Sequence, residues 1–106
     1  MTAIVAVDSG GTHARFAIAE VQKGRVTDLS EAVTLKTTEH RSFQTAWQEF
    51  KRLNGASLPR AVAIAIAGPV DADIIEITNN PWVIHRSMVC EKLDVDNFLI
   101  VNDFGA

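Results

Sequence analysis

The sequence contains a single cysteine, Cys90, so no disulfide can close within it and no thiol set is available to hold zinc. A reducing, cytoplasmic setting is therefore expected. Basic charge is also scarce. Ten Lys and Arg stand against thirteen Asp and Glu, for a formal net charge of -3, and no basic cluster occurs. That balance argues against nucleic acid and against an anionic membrane surface as partners. No apolar run is long enough to cross a bilayer, and Asp8 arrives too early for a signal peptide. Two familiar phosphate-binding signatures are missing. No Gly-Lys-Ser/Thr follows the first glycines, which excludes a P-loop, and no G-x-G-x-x-G opens a helix. Repeats and low-complexity tracts are absent too. What remains is a chain of 106 residues, 47% hydrophobic and 22% charged, which fits one globular domain.

The most informative segment is Asp8-Ser9-Gly10-Gly11-Thr12. It lies between two apolar runs, Ala3 to Val7 and Ala14 to Val21, so it reads as a tight turn between strands. Glycines accept positive φ and let a backbone approach a ligand. Successive N–H groups in such a turn can form an anion-binding concavity. Thr12 adds a hydroxyl donor, and Asp8 can hold Mg²⁺, an ion that takes only one or two carboxylates and keeps several waters. The same five residues also describe an ordinary β-hairpin.

The rest of the chain alternates strand and helix signals. Ile4–Asp8, Ala14–Val21 and Arg25–Thr37 are expected to form an antiparallel meander of three strands, with a turn at Gln22-Lys23-Gly24. Ser42 is a candidate N-cap for a helix whose apolar stripe is Phe43, Ala46, Trp47, Phe50 and Leu53; Asn54-Gly55 should stop it. Trp47 and Phe50 read as core. Ala61–Ala67 reads as a strand buried on both faces, its alanines lying close under helices. Ile74–Thr78 should be a further strand, Arg86–Leu93 a short helix, and Phe98–Val101 a buried strand. Cys90 reads as a small packing residue.

The last strand delivers Asn102-Asp103 at its carboxyl end. Ligand-binding groups in α/β sheets gather at the carboxyl ends of strands. If the first and last strands share a sheet, Asp8 and Asp103 open onto one crevice. That division of labour suits phosphoryl transfer: one acid organises metal and phosphate, the other accepts a proton from a substrate hydroxyl. Asp103 would be the base, ionised at neutral pH without tuning. Asn102 can donate and accept at once, as a polyol requires. Taken alone, Asn102-Asp103 also describes a plain polar strand end that starts a turn.

At this point the residues resemble a known family. Val7-Asp8-Ser9-Gly10-Gly11-Thr12-His13-Ala14-Arg15-Phe16-Ala17 is similar to the first phosphate loop of bacterial glucokinases, in the hexokinase–actin superfamily. Ala67-Gly68-Pro69-Val70, Ile77-Thr78-Asn79-Asn80-Pro81-Trp82 and Ile100-Val101-Asn102-Asp103-Phe104 follow in the family's order. The resemblance covers essentially the whole chain. It implies an α/β, ribonuclease-H-like (actin-like ATPase) domain: a mixed sheet with an N-terminal antiparallel meander and flanking helices. It also implies transfer of the ATP γ-phosphate to the 6-hydroxyl of glucose or a close hexose, with Mg²⁺. By the same resemblance Asp103 is the catalytic base and a sugar ligand, and Asn102 is its sugar-binding neighbour. Asn79 and Asn80 lie in the loop that flanks the sugar, where either could instead cap the turn. Asp8, Gly10, Gly11 and Thr12 surround the ATP phosphates, with Asp8 at the metal.

His13 is a departure, since the family commonly has Asn there; turn packing is the reading given to it. Arg15 matches the family and serves as a strand residue that can pair with an acid. His40 and His85 read as bystanders. Family members have two domains that close over their substrates, so residues 1–106 are expected to be the N-terminal small domain, with the C-terminal domain missing. The isolated chain should be inactive, and the surface that the absent domain would cover should favour self-association as a homodimer. A non-catalytic sugar-binding or regulatory module on the same fold is the alternative. A hairpin-rich domain without a ligand is the third reading.

Overall fold

The computed structural model describes residues 2–55, 58–66, 72–77 and 82–102. The chain opens with β1 (Thr2–Ser9), β2 (His13–Gln22), β3 (Arg25–Leu29) and β4 (Val33–Lys36). A 3-10 turn, Thr37–Glu39, leads to α1 (Phe43–Asn54) and then β5 (Ala61–Ile66). β6 (Ile74–Glu76) and β7 (Val83–His85) follow, then α2 (Val89–Leu93) and β8 (Asn97–Asn102). The main sheet has the order β3-β2-β1-β5-β8, with β4 also on β2. β1 is antiparallel to β2 and parallel to β5, and β5 is parallel to β8. β6 and β7 make a separate antiparallel pair. The expected α/β mixed sheet with an N-terminal meander is what forms.

The third strand of that meander is interrupted. Both β3 and β4 run antiparallel along the same edge of β2, Arg25 to Leu29 facing Gln22 to Ala19 and Val33 to Lys36 facing Phe16 to His13. Between them the chain leaves the ladder, and Ser30 repairs the gap. Its N–H donates to the Ile18 carbonyl at 2.9 Å, and its hydroxyl accepts from the Ile18 N–H at 2.8 Å. A serine oxygen thus stands in for a missing strand carbonyl, so one predicted strand becomes two. The turn before it is a two-residue hairpin with positive φ at both Lys23 (53°) and Gly24 (76°), the twist that tight hairpins favour.

α1 forms where its stripe and caps predict. The Ser42 hydroxyl accepts from the Thr45 N–H at 3.2 Å, the Thr45 hydroxyl accepts from the Ser42 N–H at 3.0 Å, and Gly55 closes the helix at φ 71°. Phe43, Ala46, Trp47 and Phe50 are buried, but Leu53 is not: it lies one turn beyond the sheet's cover and is exposed. The buried aromatics lock together. Phe16 stacks on Phe50 at 5.2 Å, and Phe43 meets Trp82 edge-on at 5.9 Å. The Trp82 indole N–H donates to the His40 carbonyl at 2.9 Å, which ties the turn before α1 to the β6–β7 pair.

Both helices contribute to one core with the same sheet face. Val5, Val7, Phe16, Val62, Ile64, Ile66 and Ile100 join Phe43, Trp47, Phe50, Val89 and Leu93 in a single cluster. Each such side chain taken from water contributes roughly 1.5–3 kcal/mol. The other face is a correction to the expected double cover. β5 alternates, with Val62, Ile64 and Ile66 buried and Ala61, Ala63 and Ala65 only half-buried. β8 likewise buries Ile100, while Leu99 is 60% exposed and Val101 41%. The alanines therefore line the side away from α1 and α2, and β8 is an edge strand rather than a fully buried one. The helix expected over Arg86–Leu93 begins as a 3-10 turn, Arg86–Met88, and becomes α-helical at Val89. Cys90 is half-buried, its thiol 3.6 Å from the Asp96 carbonyl, in keeping with a packing role. β7 had no sequence signal and pairs with β6, away from the main sheet.

Candidate functional site

Parallel alignment of β1, β5 and β8 brings their carboxyl ends to one edge. Ser9 pairs with Ile66, and Ile66 pairs with Asn102, so the three residues form one row across the sheet. One residue back, Asp8 pairs with Ala65 and Ala65 with Val101. Asp8 and Asn102, which lie far apart in sequence, therefore end two strands separated by one. Their side chains leave on opposite faces, Asp8 on the open face and Asn102 with Ser9 on the helix-covered face. Asp103, Asn79 and Asn80 lie outside the described residues.

The loop from Gly10 to Thr12 is tied from two sides. Within the hairpin, the Gly10 N–H donates to the His13 carbonyl at 2.9 Å. From β4's end, the Thr37 N–H donates to the Thr12 carbonyl at 2.9 Å, and the Thr37 hydroxyl donates to the Gly11 carbonyl at 3.0 Å. Thr37 is 1% exposed, so these bonds are shielded from water. Nothing in the local sequence marks Thr37, because its partners lie more than twenty residues earlier; only the β2–β4 pairing reveals it.

Two details correct the expected loop chemistry. Among the described residues the glycines with positive φ are Gly24 and Gly55, so Gly10 sits in an ordinary backbone region. A Cβ built on Gly10 would meet only the His13 carbonyl oxygen, at an unstrained 3.7 Å. The fold itself does not demand glycine at position 10, so room on the ligand side is the remaining reason for it. The Gly10 N–H is also already used inside the hairpin. Among the described residues, Gly11 and Thr12 give their amide N–H groups to no protein acceptor. The donors left without a protein acceptor are thus the Gly11 and Thr12 amides, while the Thr12 hydroxyl lies beside the His13 ring.

Asp8, Gly10, Gly11, Thr12, His13 and Arg15 wall an open concavity of about 360 Å³. Arg15 pairs across from Asp8, and Lys36 stands one strand further out, across from His13. That charge pattern suits an anion accompanied by a divalent cation. Among the described residues no group of three or more His, Cys, Asp or Glu side chains could enclose a metal. One carboxylate, Asp8, fits Mg²⁺ bound mostly by water and phosphate.

At the same edge, among the described residues, two buried polar atoms have no hydrogen-bond partner: Ser9 Oγ and Asn102 Oδ1. Both stand in the row described above. Native proteins leave few such atoms unpaired, and a ligand hydroxyl or an ordered water is the usual complement. In the sequence Ser9 is only part of the loop motif; its burial comes from the packed core.

A meander feeding a parallel extension, with the order β3-β2-β1-β5-β8, is the ribonuclease-H-like domain of actin-like sugar kinases. A glucokinase family model matches residues 5–106, and the chain belongs to the glucokinase family. It is 56% identical over 103 residues to the glucokinase of Zymomonas mobilis, covering 97% of this chain and 32% of that protein. It superposes on the crystal structure of a glucokinase from an Antarctic psychrotroph with a TM-score of 0.86 at 25% identity, over 98% of this chain and 33% of the other. The glucokinase of Balamuthia mandrillaris, solved in complex with glucose, shares the fold with a TM-score of 0.60 at 20% identity, over 95% and 29% of the two chains. The chain thus spans about a third of the relatives it matches.

Proposed function

We propose that residues 1–106 are the N-terminal small domain of a glucokinase that moves the γ-phosphate of ATP to the 6-hydroxyl of glucose. The observation that supports this reading is the row Ser9–Ile66–Asn102, which brings the end of β1, just before the glycine loop, to the same edge as Asn102. Gly11, Thr12 and Asp8 bind the phosphates and metal; when bound, Mg²⁺ neutralises charge on the phosphate oxygens. Asn102, with its unpartnered carbonyl oxygen, receives a sugar hydroxyl, and Asn79 and Asn80 flank the sugar. Asp103 accepts the 6-hydroxyl proton as the new O–P bond forms and the bond to the β–γ bridging oxygen breaks, releasing ADP. The remaining two thirds of the protein supply the rest of the nucleotide site and exclude water. The isolated chain is accordingly inactive, and its open sheet face favours self-association.

Steady-state kinetics of the full-length protein test this. Asp103→Asn is expected to lower kcat by ~10²–10⁴-fold, the usual worth of a general base, with the fold retained by circular dichroism. Turnover at the wild-type rate would remove Asp103 from the mechanism. Glucose binding by the wild-type protein without any phosphorylation would favour the non-catalytic sugar module instead.

A further inference from the structure

The Thr12 hydroxyl lies 2.9 Å from His13 Nδ1. A threonine hydroxyl has one proton to give. If Nδ1 is bare, the imidazole takes that proton and Thr12 has none for a phosphate. If Nδ1 carries hydrogen, the imidazole donates to Thr12 Oγ1 and the threonine proton points outward. The choice matters here because the loop is short of donors: the Gly10 N–H is consumed within the hairpin.

We propose that His13 is a positioning residue for the phosphate loop, acting as the donor that turns the Thr12 hydroxyl towards a bound polyphosphate. This rests on the reading of the loop as a phosphate site. An anion in the concavity selects the Nδ1–H form of His13, since only that form leaves Thr12 free to donate. Tight backbone geometry makes the pairing effective. The His13 carbonyl is held by Gly10, and the Thr12 carbonyl by Thr37, so neither side chain needs a loop rearrangement to meet the other. Lys36 across β4, Arg15 further along β2 and Asp8 on β1 are the charged groups around the ring. An asparagine at position 13 offers an amide donor in place of Nδ1–H, so the two residue types meet one requirement.

A double-mutant cycle in the full-length protein tests the proposal, read as KM for MgATP and KM for glucose. Thr12→Val should raise the KM for MgATP about tenfold, as loss of a hydrogen bond to a charged group does, and leave the KM for glucose in place. His13→Ala should raise the KM for MgATP several-fold alone and add nothing in the Thr12→Val background. His13→Asn should restore nucleotide affinity to near the wild-type value. In ¹⁵N-histidine-labelled protein, saturating Mg²⁺ with a non-hydrolysable ATP analogue should give the Nδ1–H signature at His13. Additive effects of the two substitutions, failure of Asn to rescue, or an Nε2–H ring in the saturated complex would each overturn the inference. An unchanged KM for MgATP in Thr12→Val would instead remove the phosphate-site reading, so the two failures are told apart.

Discussion

The two ends of the main sheet are built on opposite principles. At the amino end, where β5 and β8 begin, Arg60 is paired with two acids. The Arg60 guanidinium donates to both Asp96 oxygens at 3.0 and 3.1 Å and reaches Asp94 at 3.4 Å. The Asp96 N–H donates to the Arg60 carbonyl at 2.7 Å. At the carboxyl end, the Ser9 and Asn102 side chains carry buried oxygens with no partner, and two loop amides have no protein acceptor among the described residues. Strands, registers and core are common to both ends, so the fold alone does not dictate the contrast. One end is closed by its own side chains; the other leaves polar groups without a protein partner, as the proposed ligand site requires. Protein stability is given up where function is to be gained.

The comparison can be broken most forcefully at its middle. Ile64 is fully buried on β5, the strand that connects the two ends. Ile64→Ala should cost roughly 2–5 kcal/mol in urea unfolding, because the core cannot collapse around the void. A loss below this range would mean that the three-strand frame does not hold the ends in register. The next effect has the opposite sign. Ser9→Ala removes an unpartnered buried hydroxyl, so the ligand-free protein should become more stable by about 1–3 kcal/mol. Destabilisation on the same scale would show that Ser9 already has its partner. Thr37→Val should cost about 1 kcal/mol through the lost bond to the Gly11 carbonyl. Amide hydrogen exchange should then quicken at Gly11 and Thr12 while α1 stays protected; uniform exchange would contradict a local tether.

The smallest effect belongs to the amino end. The Arg60 hydrogen bonds hold the Asp96 carboxyl below its ordinary value of 3.8. A depressed folded value means that the pair's stabilisation is present above the ordinary carboxylate range. It is lost as pH falls through that range and below it. The pair is solvent-exposed, so the contribution is slight. Arg60→Ala should flatten the acid limb of the Tm-against-pH curve, and an unchanged limb would show that the pair is ornamental.

The frame of this domain was largely legible in its sequence because it depends on local signals. The Ser42 cap, the Phe43–Phe50 stripe, the Gly24 turn and the β-branched run of β5 each act over a few residues. What escaped depends on pairing between distant segments. The break at Ser30 follows from its bonds to Ile18, and the role of Thr37 from its bonds across to the glycine loop. The apolar letters at Leu99 and Val101 look like core, yet alternation on an edge strand turns them outward. The letters of the candidate site are easier to read than their geometry. Asp8, Gly10, Gly11, Thr12 and Asn102 were all named from the sequence. Their shared edge needed the parallel registers, and the burial of the Ser9 hydroxyl needed the packed core.

The account centres on one cleft shared by the end of β1 and the end of β8. The direct measurement is paramagnetic relaxation of glucose protons in the full-length protein, with Mn²⁺ and a non-hydrolysable ATP analogue replacing MgATP. The account predicts strong relaxation that is steepest at the C6 protons of the sugar and that disappears with Asp8→Ala. Glucose that remains bound but relaxes no faster than it does with a diamagnetic ion would place metal and sugar in separate sites and contradict it.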